Sequence, residues 1–168
     1  MTTISIISIF NTVKTPSNAI QFMLDGLRTQ SKRKDFKIDM NSYGAFDIIK
    51  PATRNERKKI ICYGCAATCA IQQIAQKNLI PGMIGDYDTR AQWLGFDEDE
   101  LKQFEWALDS FRMGAFTKIL NFFGIYADET KQFFTDKYSN YFLTSGTDWE
   151  NYIGETENII ADLKERGL

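Results

Sequence analysis

The stretch from Ile61 to Lys77 reads ICYGCAATCAIQQIAQK and holds all three cysteines of the chain, Cys62, Cys65 and Cys69. Its reading decides whether the middle of the molecule is a chemical site or a packing element. Taken as one helix over residues 62–77, at about 100° per residue, it sets the three thiols within an arc of about 60° on one face. Tyr63, Ala67, Ala70, Ile71 and Ile74 form an aliphatic stripe roughly 150° away by the same step. The thiols share their face with the amides of Gln73 and Gln76.

Three readings of that face compete. In the first, Ala66, Ala67, Ala70 and Ala75 join the cysteines in a small-residue helix that neighbours approach closely, since free cysteine behaves as a small buried hydrophobe. In the second, C-x2-C-x3-C binds a metal or an iron–sulfur cluster. Three thiolates are one short of the usual four, the chain has no histidine to complete a site, and a helix sets thiolates in a row, not around a point. No metal and no cofactor is expected. In the third, Cys65 is a nucleophile in the first turn of the helix, where the dipole favours the thiolate. A cysteine opening an alanine-rich helix is similar in placement to papain-like folds, but the histidine base of that chemistry does not exist here. The structural reading leads. A cysteine-dependent enzyme or redox sensor using Cys65 is the runner-up.

The segments around this stretch give the fold class. Upstream, the isoleucine-rich Thr3–Phe10 reads as a strand. Thr15 caps a helix with Pro16 in its first position, running to about Gln30 with Ala19, Met23, Leu24 and Leu27 on one face. From Phe36, apolar Phe36, Ile38 and Met40 alternate with polar Lys37, Asp39 and Asn41. That predicts a half-buried strand ending near Tyr43-Gly44. A basic loop, Arg54 to Lys59, leads into the cysteine segment.

Downstream, NLIPGMIGDYD (78–88) is a loop and Thr89 caps a short helix carrying Trp93 and Leu94. Asp97 then caps the clearest element. Leu101, Phe104, Leu108, Phe111, Ala115, Ile119 and Phe122 recur at steps of three and four, a helix of about six turns that Gly124 stops. Glu98, Asp99 and Glu100 fill its first turn, where they favour the positive end of the dipole. Gly114 costs about 1 kcal/mol inside a helix and marks a bend or a close approach. Met113, Phe116, Leu120 and Phe123 add a second apolar row. A further helix begins near Asp128 with Phe133 and Phe134. The last opens on the capping box Thr147-Asp148-Trp149-Glu150, and its stripe runs through Tyr152, Ile153, Thr156, Ile159, Ile160 and Leu163. The expected fold is α+β and predominantly helical. Short N-terminal strands precede a helical second half built around a central small-residue helix and a long aromatic-rich one. All 168 residues are expected in a single globular domain.

Composition bounds the function. Residues 1–84 carry twelve Lys/Arg against five Asp/Glu, and residues 85–168 carry eight against seventeen. The halves are therefore oppositely charged although the net charge is −2. The apolar start MTTISIISIF lacks an early positive charge and is too short to span a bilayer, so a soluble cytoplasmic protein without a membrane partner is expected. Without histidine there is no imidazole base and no His-ligated metal. Phosphate-binding, dinucleotide and calcium-loop motifs are missing too, and Asp86-Tyr87-Asp88 lacks the calcium-loop spacing.

The favoured expectation is a non-enzymatic protein-binding or regulatory protein, such as an inhibitor, immunity-type or accessory factor acting on another protein. Its expected contact regions are the acidic helix entry Asp97, Glu98, Asp99 and Glu100, the loop Asp86, Tyr87 and Asp88, and the basic residues Arg54, Arg57, Lys58 and Lys59. Nucleic-acid binding through the basic half is a second alternative.

Overall fold

The computed structural model describes residues 13–42, 45–49, 53, 59–73, 97–143 and 146–168. Helix α1, Pro16–Ser31, begins where the sequence places it. Thr15 is extended and its Oγ1 accepts the Asn18 N–H at 3.2 Å, satisfying one of the free amides of the first turn. Ala19, Ile20, Met23, Leu24 and Leu27 are buried along its inner face.

The cysteine stretch corrects the single-helix reading. Residues Lys59–Gly64 form strand β3, Cys65 is the N-cap, and helix α2 is Ala66–Gln72, while Ile74, Ala75, Gln76 and Lys77 of the expected helix lie outside the described residues. Cys62 thus lies in a strand, and Lys59 opens that strand instead of closing a loop. The isoleucines and Tyr63 suit a pleated surface, and the strand has partners on both sides. Strand β1, Phe36–Ile38, pairs parallel to it with Phe36 opposite Cys62. Strand β2, Ala45–Ile49, pairs antiparallel with Ile48 opposite Ile60. The sheet order is β1-β3-β2.

The strand expected from Phe36 to Tyr43 is cut short after Ile38, because Asp39 folds the chain into a turn. Its carboxylate accepts the Asn41 N–H at 3.0 Å and the Ser42 hydroxyl at 2.7 Å. Strand β2 had no counterpart in the sequence reading. The predicted strand 3–10, the loop 78–88 and the helix capped by Thr89 lie outside the described residues.

The six-turn helix is two helices. Helix α3, Glu98–Arg112, ends at Met113; Gly114 takes φ +79°; and helix α4, Phe116–Phe122, begins after Ala115. A Cβ on Gly114 would sit 2.5 Å from the Tyr141 carbonyl oxygen. The close approach is therefore real, and it breaks the helix instead of bending it. Met113 and Ala115, expected in the apolar rows, are exposed.

Helix α5 is Asp128–Lys137. A 3-10 turn over Gly146–Tyr152 precedes helix α6, Ile153–Glu165, so the α-helix starts later than the Thr147 box implied. The fold is α+β and predominantly helical, six α-helices and a three-stranded sheet among the described residues.

One connected core joins these elements. Helix α2 packs on α1 so closely that a Cβ at Gly26 would lie 2.5 Å from the Cys69 carbonyl oxygen. Leu101, Phe104, Leu108 and Phe111 of α3 meet Phe116, Ile119 and Leu120 of α4 in the same core. The Phe111 ring lies 5.1 Å from Tyr141 and 5.5 Å from Phe116, edge-on to the latter, geometries that add to area burial.

Candidate functional site

Each thiol has a neighbour and little solvent. Cys62, Cys65 and Cys69 are 7%, 3% and 0% exposed. The Cys65 Sγ lies 3.6 Å from the Thr68 hydroxyl, and the Cys69 thiol donates to the Gly64 carbonyl at 3.9 Å. Burial pushes the Cys69 thiol well above its ordinary pKa, and burial also raises Cys62 despite nearby Arg33. Both effects favour the unreactive thiol over the thiolate. Gln73 donates to the Phe22 carbonyl at 2.6 Å, tying the end of α2 to α1. The face shared by Cys65, Cys69 and Gln73 is therefore covered by the fold. Among the described residues, no three Cys, Asp or Glu side chains converge to hold a metal ion.

The acidic entry of α3 is occupied by local duties. Asp97 Oδ1 accepts the Glu100 N–H and Glu100 Oε2 accepts the Asp97 N–H, both at 2.8 Å, a reciprocal capping box. Glu98 pairs with Lys102 at 2.6 Å, and Asp99 projects into solvent. Lys59 stands opposite Ile49 at the open end of β3. Arg54, Arg57, Lys58, Asp86, Tyr87 and Asp88 lie outside the described residues.

Two surface features were not anticipated. A polar cleft of about 470 Å³ is lined by Lys137, Tyr138, Glu155, Asn158, Ala161 and Asp162. The Tyr138 hydroxyl donates to Asp162 Oδ2 at 2.5 Å, and Lys137 Nζ lies 2.6 Å from the same oxygen. Hydrogen bonds from Lys137 and then Tyr138 hold Asp162 below the usual carboxylate range. Burial, and then the bond to Asp162, push the tyrosine up. A tyrosine that resists ionisation, bonded to a carboxylate already paired with a lysine, fastens α5 to α6 and is poorly set for proton abstraction.

The other feature is an aromatic groove between α3 and α4. Gly114 turns α4 back along α3, so Lys118, Asn121 and Phe122 face Gln103, Trp106 and Ala107, each set spaced as neighbours on one helix face. Tyr126 also lines this volume of about 290 Å³. Trp106 is 57% exposed and Tyr126 68%. Lys118 Nζ lies 3.8 Å from the centre of the Trp106 ring, a cation–π contact. Asn121 Oδ1 is buried and has no hydrogen-bond partner among the described residues. The sequence did carry a sign of this groove: Trp106 stands roughly 200° from Phe104 and so falls off the apolar stripe of α3.

On the sheet, Ile48 and Ile60 are paired across β2 and β3 and exposed on one face, and Ile49, next in the strand, is exposed on the other. No family model, curated protein or solved structure matches the chain. Among the described residues, no helix is long and apolar enough to cross a membrane.

Proposed function

We propose that this chain is a protein-binding, regulatory or accessory protein whose contact face is the α3–α4 groove. The observation that carries the reading is the exposure of Trp106 and Tyr126 on one groove. Tryptophan and tyrosine dominate the energetics of protein contacts because they bury a large, rigid area at low entropic cost. Trp106 stands off the buried stripe of its helix, with more than half of it exposed. The acidic entry residues Asp97, Glu98 and Glu100 serve the helix itself, which moves the expected contact surface away from them. Burial of the thiols weighs against an enzyme that depends on Cys65.

The test is affinity capture from source cells with the full chain, beside a Trp106→Ala/Tyr126→Ala variant of equal thermal stability. A stoichiometric partner should be held by the first and lost by the second, with affinity falling roughly 30-fold for a central aromatic anchor. Identical sets of captured proteins would remove the groove as the contact face.

A further inference from the structure

The groove has a chemistry of its own, and it narrows the class of partner. Lys118 is exposed on α4, and its ammonium rests on the Trp106 ring. Among the described residues no carboxylate is paired with it. Lys131 lies 6.0 Å from the Tyr126 ring, but Asp128 shares its charge at 3.8 Å. Among the described residues, the groove therefore offers one lysine with no paired carboxylate, and two exposed aromatic rings line it. At about 290 Å³ it falls just below the range of roughly 300–1,000 Å³ usual for small-molecule pockets, a size suited to one or two side chains.

We propose that the groove takes a linear peptide segment of the partner in which one carboxylate stands beside a large apolar side chain. The carboxylate meets Lys118, and the apolar side chain lies between Trp106 and Tyr126. This rests on the reading of the groove as a protein-contact face. A single-stranded nucleic acid would stack on the same rings but calls for a row of cations. The groove has one unshared lysine, and the first turn of α3 carries Glu98, Asp99 and Glu100.

The experiment is peptide selection from a displayed library on the full-length chain, with labelled oligouridylate as a parallel probe. Selected peptides should carry Asp or Glu next to an aromatic or aliphatic residue. The best of them should lose about tenfold in affinity on Trp106→Ala and on Lys118→Gln, while Lys118→Arg retains binding. Replacing the peptide's Asp by Asn should cost the wild type a similar factor and cost Lys118→Gln little more, the signature of a direct pair. Each variant is melted beside the wild type, since both side chains are exposed and folding should be unaffected.

Peptides that need Trp106 but carry no carboxylate and ignore Lys118 would overturn this inference and leave the contact face standing. Peptides that bind Trp106→Ala equally well would overturn both. Oligouridylate binding that depends on Trp106 and Lys118 would also overturn both, in favour of nucleic acid.

Discussion

Replacing Gly114 by alanine separates two pictures of the region by the sign of its effect. In a continuous helix over residues 98–122, glycine is the weak point, and Gly114→Ala should stabilise the protein by about 1 kcal/mol. In the structure, Gly114 has φ +79° and its missing Cβ would lie 2.5 Å from a backbone oxygen, that of Tyr141. The left-handed conformation costs a residue with a Cβ about 1–2 kcal/mol. The clash adds about 1–3 kcal/mol, because a carbonyl held in place cannot yield as a side-chain tip can. That carbonyl belongs to a segment fixed by the Leu143 N–H donating to the Arg112 carbonyl at 2.7 Å.

The expected loss is therefore about 2–5 kcal/mol, and for a chain of this size about 3 kcal/mol lowers the melting temperature by roughly 6–12 °C. Urea unfolding at equilibrium measures it, with an unchanged m-value showing that the native state is what was altered. Gly124→Ala is the internal control. Gly124 has φ +76° but nothing within 4 Å of a built Cβ, so it should lose only the conformational part, about 1–2 kcal/mol. A stabilised or unchanged Gly114→Ala would refute the helix break. A loss equal to that of Gly124→Ala would refute the contact with Tyr141.

Three further expectations follow from the same packing. Gly26→Ala should destabilise by about 2–3 kcal/mol in urea, since its Cβ would meet the Cys69 carbonyl carbon and oxygen at 2.6 and 2.5 Å; a neutral result would mean that α1 and α2 do not cross there. The three thiols should resist a thiol reagent such as DTNB in the native state near neutral pH and react together on unfolding; rapid native labelling of Cys65 would revive the enzyme reading. Asp162 is held below the ordinary carboxylate range, so it binds fewer protons folded than unfolded. Its stabilisation is present above the unfolded value and is lost as pH falls below about 4 through the folded value. Asp162→Asn should lower stability at neutral pH and flatten the acid limb of unfolding, and an acid limb of unchanged slope would exclude the pairing with Lys137 and Tyr138.

The start of α1 at Thr15-Pro16 and the start of α3 at Asp97 were legible in the sequence. So were the buried stripes Met23–Leu27 and Leu101–Phe111 and the predominantly helical α+β class. Caps and stripes act within one or two turns of their own residues, so the local order of side chains is enough to specify them. What the sequence left open depended on groups far along the chain. Residues 59–64 become a strand because Phe36–Ile38 and Ala45–Ile49 flank them, and pairing on both sides outweighs any helical spacing of the cysteines. Gly114 breaks a helix that periodicity alone would continue, because the Tyr141 carbonyl occupies the place of a Cβ. The three thiols are buried where α2 packs against α1 and the sheet. Trp106, off the apolar stripe of α3, gains its place in a groove only when the turn at Gly114 lays Lys118 against it. Local chemistry determined the elements, and long-range packing decided which of their residues face solvent.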